Sequence, residues 1–296
     1  MSAIVWKVAH FGKGAAKAAT PRSVDTPRRG LVQSHLVIDG YQDIHINVRH
    51  WLQQLWQAVR QQRGATTLYD IGANDGELSL PLVAHGARVI AFEPGAAAAA
   101  RLRDRAAQLG CSIDEISLEH PEHAASGDTT VYLAGIALSD RRARGQLHVF
   151  EDDTFSSLHD RPIAERERYQ LGDARTEPIE LARLDALVEA GLPEADLVKI
   201  DVEGGELSVL RGAQEYLKRR KPAILMEYSC PNTQNAGYAR SELLDALRAV
   251  GYVGLYGLYR NQDLSLHHDL GECTIWNIIA VDAELNESIA PPAKTT

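Results

Sequence analysis

From residue 66 onward, short apolar runs typical of buried strands alternate with stretches of helical spacing or helical composition. This alternation predicts right-handed crossovers and a mostly parallel sheet with helices on both faces. The last two apolar runs have no helix between them, so we expect them to pair antiparallel. The sequence therefore predicts a doubly wound α/β domain with seven strands, at residues 66–71, 88–92, 131–138, 197–201, 223–228, 252–258 and 274–281.

The segments between the predicted strands differ in character. Residues 111–130 and 141–178 are longer than the loops that compact domains normally contain, although 144–150 could form an extra strand. The acidic cluster at 151–153 is expected to face water. Helices are expected at 77–85, where Pro81 could cause a kink, and at 96–109, 206–217 and 238–250.

The N-terminal region divides into a basic leader and an amphipathic helix. Residues 1–30 carry six basic side chains and one acidic side chain, which is typical of a solvated tail, an organelle address or a surface-binding arm. Residues 48–59 place Trp51 and Trp56 on one apolar face, which could cover a ligand cavity but more simply packs on the core. We therefore expect a leader and helix at 1–60 (a cap or interface), one domain at 61–285 and a flexible tail at 286–296.

The overall charge and the cysteines restrict the partners and the compartment. With 40 acidic and 31 basic residues among 296, the net charge is −9, which argues against nucleic acid as a partner. No apolar run approaches the roughly 20 residues that span a bilayer. The three cysteines are far apart and form no Cys-x-x-Cys pair, so we expect a reduced cytoplasmic protein. The oligomeric state is left open.

The first predicted strand ends in a glycine-rich turn, DIGANDG at residues 70–76. Such a turn lies at the carboxyl edge of a parallel sheet, where ligands of these folds bind. Gly72 and Gly76 permit a tight turn and close approach of a ligand to the backbone. Asn74 stands where the dinucleotide-binding fingerprint has its middle glycine, so the turn does not match that fingerprint.

An acidic residue follows the second predicted strand. Glu93 lies 23 residues beyond Asp70, in the sequence Phe-Glu-Pro. A carboxylate at this place can accept hydrogen bonds from both hydroxyls of a ribose. The two motifs together favour a nucleotide-type ligand, either S-adenosylmethionine or a nicotinamide dinucleotide. The incomplete fingerprint and the absence of a Tyr-x-x-x-Lys motif argue against the dinucleotide.

The fourth predicted strand also delivers charged residues to this edge, in the sequence KIDVEGGE at residues 199–206. Lys199 and Asp201 share one side of the strand because side chains alternate with a period of two. Packing alone explains such a pair poorly, since charged side chains are seldom buried. Glu206 at the following helix start is explained by the helix dipole. The strand therefore predicts a functional site.

In this order, the motifs resemble the FkbM family of S-adenosylmethionine-dependent methyltransferases. The resemblance covers residues 66–228 and also includes Ala-Leu-Ser-Asp at 137–140, Leu-Asp at 184–185 and VLRGA at 209–213. It implies a Rossmann-like class I methyltransferase fold with helices on both faces of the sheet. It also implies transfer of a methyl group to a hydroxyl oxygen.

The resemblance further implies roles for individual residues. Around the amino-acid portion of the cofactor it places Asp70, Gly72, Ala73, Asn74 and Gly76. Glu93 would hold the ribose, Ser139 or Asp140 would lie near the adenine, and Ser156 and Ser157 match a serine-containing stretch of the family. The methyl-transfer side would be lined by Lys199, Asp201, Glu203 and Glu227.

Several groups could assist the transfer. Asp201 is the first candidate for the base that removes the hydroxyl proton, with Lys199 beside it as a catalytic partner, and Glu227 is the second candidate. A magnesium or manganese ion is a lesser hypothesis and is not expected. Its ligands would be Asp201, Glu203, Glu227 and a histidine of the His267-His268 pair, with His268 preferred.

Three classes of function follow from these patterns. The favoured class is a methyltransferase that acts on a small hydroxylated metabolite, such as a sugar or a polyketide-like product. The second is a nicotinamide-dependent oxidoreductase, which would require dinucleotide binding. The third is a non-catalytic relative that serves as an assembly partner. Binding of S-adenosylmethionine without methylation of any acceptor would favour the third class.

Overall fold

The computed structural model describes residues 41–64, 67–125, 130–259, 266–271 and 273–289. Within these ranges eleven strands form two sheets: β1 (Thr67–Ile71), β2 (Arg88–Phe92), β3 (Ile113–Glu115), β4 (Val131–Ala134), β5 (Ala137–Leu138), β6 (Ala143–Val149), β7 (Arg175–Ala182), β8 (Leu197–Ile200), β9 (Ala223–Glu227), β10 (Gly254–Tyr259) and β11 (Ile275–Val281). The α-helices in the same ranges are α1 (Tyr41–Arg63), α2 (Ala96–Gln108), α3 (Ile163–Tyr169), α4 (Leu184–Glu189), α5 (Glu206–Gly212), α6 (Gln214–Arg220), α7 (Cys230–Asn235), α8 (Arg240–Ala249) and α9 (Ala283–Ile289).

The main sheet has the strand order β10-β11-β9-β8-β1-β2-β4-β3. Every neighbouring pair is parallel except the two pairs that β11 makes, with β9 and with β10. The predicted α/β class, the mostly parallel sheet and the antiparallel closing strand are therefore confirmed. The strand count differs from the predicted seven because β3, in a segment expected to be a loop, pairs with β4 at the sheet edge.

The central strand β1 marks the point where the chain reverses its direction across the sheet. It pairs with β2 on one side and with β8 on the other. At such a reversal the connections leave toward opposite faces, so a crevice opens at the carboxyl ends of the strands. The loops that follow β1, β2 and β8 therefore meet at one crevice.

A second sheet of three strands stands beside this edge, in the order β5-β7-β6. The single strand predicted at 131–138 divides in two: β4 stays in the main sheet and β5 joins the small one. The extra strand expected at 144–150 is confirmed as β6, which pairs antiparallel with β7. The predicted long loop at 141–178 is thus partly ordered.

Two predicted helices differ from the structure. The expected helix at 77–85 is only a 3₁₀ segment at Leu80–His85, because Pro81 supplies no backbone N–H and fits only the first turn. The expected helix at 206–217 divides at Ala213 into α5 and α6. At the end of α5 only glycine fits, because a Cβ on Gly212 would lie 1.9 Å from the carbonyl oxygen of Ser139.

The amphipathic helix α1 is part of the domain core. Trp51 and Trp56 are buried in the apolar cluster on one face of the sheet, and the helix contacts β8, β9 and α9. The boundary predicted at residue 60 is therefore wrong, because α1 packs on the core, whereas its role as a cap or interface stays a prediction. The leader, at residues 1–40, lies outside the described residues. None of the described helices is both long and apolar enough to cross a bilayer.

The C-terminal boundary also needs correction. Residues 286–289, expected to begin a flexible tail, form the end of α9. Leu285 and Ile289 are buried in the same apolar cluster as α1. Burial of these two side chains holds the helix on the domain, so the ordered chain extends at least to residue 289.

A disulfide joins Cys230, the first residue of α7, to Cys273, just before β11. The two Cα atoms are 5.8 Å apart, although the residues are 43 positions apart in the sequence. The prediction of a reduced protein is therefore wrong for this pair, because spacing along the chain does not show which cysteines meet in the fold. Cys111 is a free thiol. The cytoplasmic location stays a prediction.

Reducing this disulfide is expected to lower the free energy of unfolding by about 2–4 kcal/mol, because the bond restricts the unfolded chain. Urea denaturation of the oxidised and reduced protein, followed by tryptophan fluorescence, measures the loss. The double variant Cys230→Ser/Cys273→Ser should reproduce it, whereas the control Cys111→Ser should change stability by no more than about 0.5 kcal/mol. Equal midpoints for oxidised and reduced protein would contradict the expectation.

Candidate active site

The glycine-rich turn after β1 lies directly against the loop after β8. Gly72 has a φ of 75°, and its N–H donates to the carbonyl oxygen of Phe92 at 2.9 Å. A Cβ on Gly72 would lie 1.9 Å from the carbonyl oxygen of Asp201. Only glycine fits at this point, so the turn holds two loops of the crevice together.

Glu93, at the end of β2, closes the other side of the turn. Its Oε2 accepts from the backbone N–H of Asn74 at 2.8 Å, and its Oε1 accepts from that of Gly95 at 2.8 Å. Only 8% of the residue is exposed, and burial raises the pKa of its carboxyl to about 7 despite these two hydrogen bonds. Each oxygen has a second lone pair, so the carboxylate can accept further hydrogen bonds from a ligand.

Lys199 is a buried cation beneath the turn. Its Nζ donates to the carbonyl oxygen of Gly72 at 2.7 Å and lies 3.1 Å from Asp70 Oδ1 and 3.8 Å from Asp201 Oδ2. Burial would lower the pKa of Lys199, but the charges of Asp70 and Asp201 outweigh it, and the pKa is raised. Lys199 therefore remains protonated and fixes the turn, and it cannot accept a proton.

These loops enclose a cleft of about 270 Å³ at the carboxyl edge of the sheet. The structure brings together most of the residues that the sequence predicts there. Those that line the cleft are Gly72, Ala73, Asn74, Glu93, Ser156, Ser157, Lys199, Asp201 and Glu203. Ser157 supports the loop after β8, because its Oγ donates to the carbonyl oxygen of Glu203 at 2.7 Å.

Four predicted cofactor residues do not line the cleft. Asp70 lies behind it, paired with Lys199. Gly76 supports packing, since a Cβ there would lie 2.7 Å from Leu80. Ser139 and Asp140 follow β5, where the carbonyl oxygen of Ser139 lies against α5. The apolar wall of the cleft comes instead from residues just before them and from β6, namely Ile136, Ala137, Leu138, Leu147 and Val149.

An ion pair that the sequence did not reveal crosses the mouth of the cleft. Arg101 of α2 binds Asp153 through two contacts of 2.7 and 2.8 Å, and its Nη2 also donates to Asn74 Oδ1 at 2.8 Å. The expectation that the acidic cluster at 151–153 faces water is therefore wrong for Asp153, whose side chain is 17% exposed. No local pattern indicated the pair, because Arg101 lies in an alanine-rich helix far along the chain.

A smaller cavity of about 80 Å³ adjoins the cleft and shares Leu78, Asp201 and Glu203 with it. Glu227, at the end of β9, lines this second cavity. Carboxylate oxygens of Asp201, Glu203 and Glu227 all lie within 4.8 Å of one another. The predicted methyl-transfer residues therefore converge, with Asp201 at the boundary between the two spaces.

Two buried polar side chains connect these carboxylates. Asn232 of α7 donates through Nδ2 to Glu203 Oε2 at 2.8 Å and to Glu227 Oε1 at 2.9 Å. Arg161 contacts Glu203 Oε2 at 2.5 Å. Burial raises the pKa of Glu203 to about 8 despite Arg161. Burial and the neighbouring carboxylates Glu203 and Asp201 raise the pKa of Glu227 well above its usual range.

The proposed metal ligands meet only in part. His268 packs its ring on Tyr256 at 5.1 Å between centroids, and among the described residues the three-carboxylate cluster includes no histidine. Asn232 and Arg161 direct their hydrogens at the carboxylate oxygens that a metal ion would use. The arrangement therefore favours hydrogen bonds and ion pairs over a bound divalent metal ion at this cluster.

The strand order, the antiparallel β11 and a ligand cleft at the reversal beside β1 define a Rossmann-like α/β domain of the class I methyltransferase type. A family model described as the methyltransferase FkbM domain matches residues 70–253, which is more than half of the chain. The chain belongs to this family of S-adenosylmethionine-dependent methyltransferases.

Individual relatives are more distant. The AMB antimetabolite synthetase AmbE of Pseudomonas aeruginosa is 27% identical over 206 residues, which cover 62% of this chain and only 9% of that protein. The crystal structure of a methyltransferase FkbM from Methylobacillus flagellatus KT is 16% identical with a TM-score of 0.42. The match covers 73% of this chain and 43% of that chain. Magnesium protoporphyrin IX methyltransferase of Synechocystis PCC 6803, solved with bound SAM, is 12% identical with a TM-score of 0.42. The match covers 86% of this chain and 87% of that chain.

Proposed function

We propose that this protein transfers a methyl group from S-adenosylmethionine to a hydroxyl oxygen of a small molecule, such as a sugar or a polyketide-like product. The observation that carries the proposal is the position of Asp201, which lines both the large cleft and the smaller acidic cavity. A cofactor in the cleft and an acceptor in the cavity would meet at this carboxylate. Because the chain belongs to a methyltransferase family, we no longer propose the alternative function of a nicotinamide-dependent oxidoreductase.

The residues of the cleft fit the parts of S-adenosylmethionine. The turn of Gly72, Ala73 and Asn74 lines the cleft and would contact the amino-acid portion. The Glu93 carboxylate has free lone pairs for two ribose hydroxyls. The apolar wall formed by residues 136–138 and β6 suits the adenine ring.

In the reaction, the bound cofactor would supply a methyl group on a sulfonium ion. The chain's own contribution is largely alignment, which can supply about 7–11 kcal/mol of barrier reduction. Asp201 is placed to accept the hydroxyl proton, which adds about 10²–10⁴-fold. Lys199 positions this group but is no proton acceptor. Glu227 is a weaker candidate base, because burial and the neighbouring carboxylates raise its pKa well above its usual range and so disfavour the ionised form that a base needs.

Calorimetric titration with S-adenosylhomocysteine, the product form of the cofactor, tests the proposal. We expect micromolar binding, no comparable binding of NAD, and weaker binding by Glu93→Gln. Methyl transfer is then measured on a panel of hydroxylated acceptors with and without Mg²⁺. A folded protein that does not bind S-adenosylhomocysteine would overturn the proposal. Binding without transfer to any acceptor would favour the non-catalytic relative.

The affinity for S-adenosylhomocysteine should increase about tenfold from pH 6 to pH 8. Ribose hydroxyls donate to the Glu93 carboxylate and so favour its ionised form. Below its pKa of about 7, Glu93 must release a proton on binding, whereas above it the carboxylate is already ionised. Titrations at several pH values check this, and Glu93→Gln should remove the dependence. An equally steep dependence in Glu93→Gln would assign it to another group.

A further inference from the structure

The smaller cavity has one acidic wall and one aromatic wall. Four carboxylates line it, from Asp201, Glu165, Glu203 and Glu227. Three aromatic side chains face the same space, from Phe155, Tyr169 and Trp276. Phe155 and Tyr169 stack with their ring centroids 5.2 Å apart. Aromatic faces and carboxylates both attract cations, and the guanidinium of Arg161 already lies over the Phe155 ring, 5.2 Å from its centroid.

The cationic side chain among the lining residues, Arg161, does not balance this charge. Its Nη1 and Nη2 contact Glu165 and Glu203 at 2.5 Å, and its Nε donates to the carbonyl oxygen of Phe155 at 3.1 Å. The nitrogens of Arg161 are thus already engaged, and no contact of this guanidinium reaches Glu227 in the described residues. The cavity therefore has an excess of acidic groups.

A second feature of the cavity points to a ligand. Asn277 of β11 lines it and is only 8% exposed, yet its side-chain amide has no hydrogen-bond partner among the residues that the structure describes. The residue is paired across the sheet with Glu227. The amide lines the cavity and is open to a hydrogen-bond partner there. A polar group of a ligand in the cavity would satisfy this amide.

We infer that the cavity binds an ammonium group of the methyl acceptor, so that the substrate is a hydroxylated amine. The inference rests on the proposed function, because it places the acceptor hydroxyl at Asp201. An ammonium group offers three hydrogens, which match the carboxylates of Glu203 and Glu227 and the amide oxygen of Asn277. A volume of about 80 Å³ corresponds to about three water molecules, enough for an ammonium with one or two carbons.

A divalent metal ion fits this place less well than an ammonium group. Asn232 directs Nδ2 at both Glu203 and Glu227, and these hydrogens would face a cation at the centre of the cluster. An ammonium can bind from the cavity side and use the remaining lone pairs. Burial raises the pKa of Glu203 to about 8, so its carboxyl is largely neutral near pH 7 in the empty cavity. A bound ammonium would favour the ionised form of this carboxyl, whereas a neutral sugar brings no positive charge to do so.

The test compares ethanolamine with ethylene glycol, which share one hydroxyl and differ in the ammonium group. Binding to the protein saturated with S-adenosylhomocysteine is measured by saturation-transfer NMR titration. We expect ethanolamine to bind at least about tenfold more tightly, which corresponds to one strong charged contact. Glu227→Gln and Asn277→Ala should each reduce the preference to about threefold or less. Glu122→Gln, an exposed acid outside the cavity, should retain it.

Each outcome distinguishes the inference from the proposed function. Failure of the wild-type protein to bind S-adenosylhomocysteine would overturn both. Retained cofactor binding with equal affinity for the two probes would overturn only the inference. Tight binding of Mg²⁺ or Mn²⁺ that displaces ethanolamine would also overturn it, in favour of a metal site. Retained binding of S-adenosylhomocysteine shows that each variant is folded, and Asn277→Ala removes no hydrogen bond of the network.

Discussion

Replacing Gly72 with alanine is expected to lower the free energy of unfolding by about 4–5 kcal/mol. The φ of 75° alone costs a residue with a side chain about 1–2 kcal/mol. The larger part comes from the new Cβ, which would lie 1.9 Å from the carbonyl oxygen of Asp201. This contact is with backbone, so the loops after β1 and β8 would have to separate. Chemical denaturation measures the loss.

Gly110 provides the matched control for this substitution. Its φ of 72° is nearly the same, but nothing lies within 4 Å of the position of its Cβ. Gly110→Ala should therefore lower the free energy of unfolding by only about 1–2 kcal/mol. If both variants lost the same stability, the close contact between Gly72 and Asp201 would not exist in solution. Binding of S-adenosylhomocysteine should be lost only in the Gly72 variant, because only there do the cleft loops separate.

Replacing Lys199 with methionine is expected to lower the free energy of unfolding by about 3–5 kcal/mol. The substitution leaves the Asp70 carboxylate buried without its counter-charge, and it removes the donor to the carbonyl oxygen of Gly72. Asp70 is 1% exposed, so water cannot replace the lost ammonium. Denaturation curves measure the loss. The exposed control Lys218→Met should change stability by no more than about 0.5 kcal/mol.

The double variant Asp70→Asn/Lys199→Met distinguishes the stability lost through an unpaired charge from the stability lost through altered packing. Asparagine has no charge to leave unpaired, so the double variant should regain a large part of the stability lost in Lys199→Met. The coupling energy from the double-mutant cycle should be about 1–3 kcal/mol. Additive losses would mean that the two side chains do not interact, and that the Lys199 effect comes from packing alone.

Much of the cleft at the carboxyl edge of the sheet could be predicted from the sequence. Gly72, Asn74, Glu93 and Asp201 each follow a short apolar run, and the carboxyl ends of parallel strands meet at one edge. The strand alternation was therefore enough to place these residues together. The motif did not predict the role of Gly76 correctly, because this glycine of the same turn packs against Leu80 and does not line the cleft.

The smaller cavity could not be predicted in the same way. Arg161, Asn232 and Asn277 come from the segment before α3, from α7 and from β11, and none lies in a recognisable pattern. The disulfide could not be predicted for the same reason, since its cysteines are 43 positions apart and meet only when α7 packs beside β11. Contacts between distant segments depend on how the elements pack, which the local spacing of residues does not encode.

The sequence by itself determined the α/β class, the order of the central elements, the glycine-rich turn and the family, because periodicity, turn residues and motifs are local properties of the chain. Only the tertiary structure decided what each charged group does. Lys199 stands beside Asp201 in the sequence pattern as a catalytic partner, but in the fold it is a buried cation held between Asp70 and the carbonyl oxygen of Gly72. The pKa of Glu93 rises because the fold buries its carboxyl. Burial and distance set the behaviour of a charge, and both exist only in the folded chain.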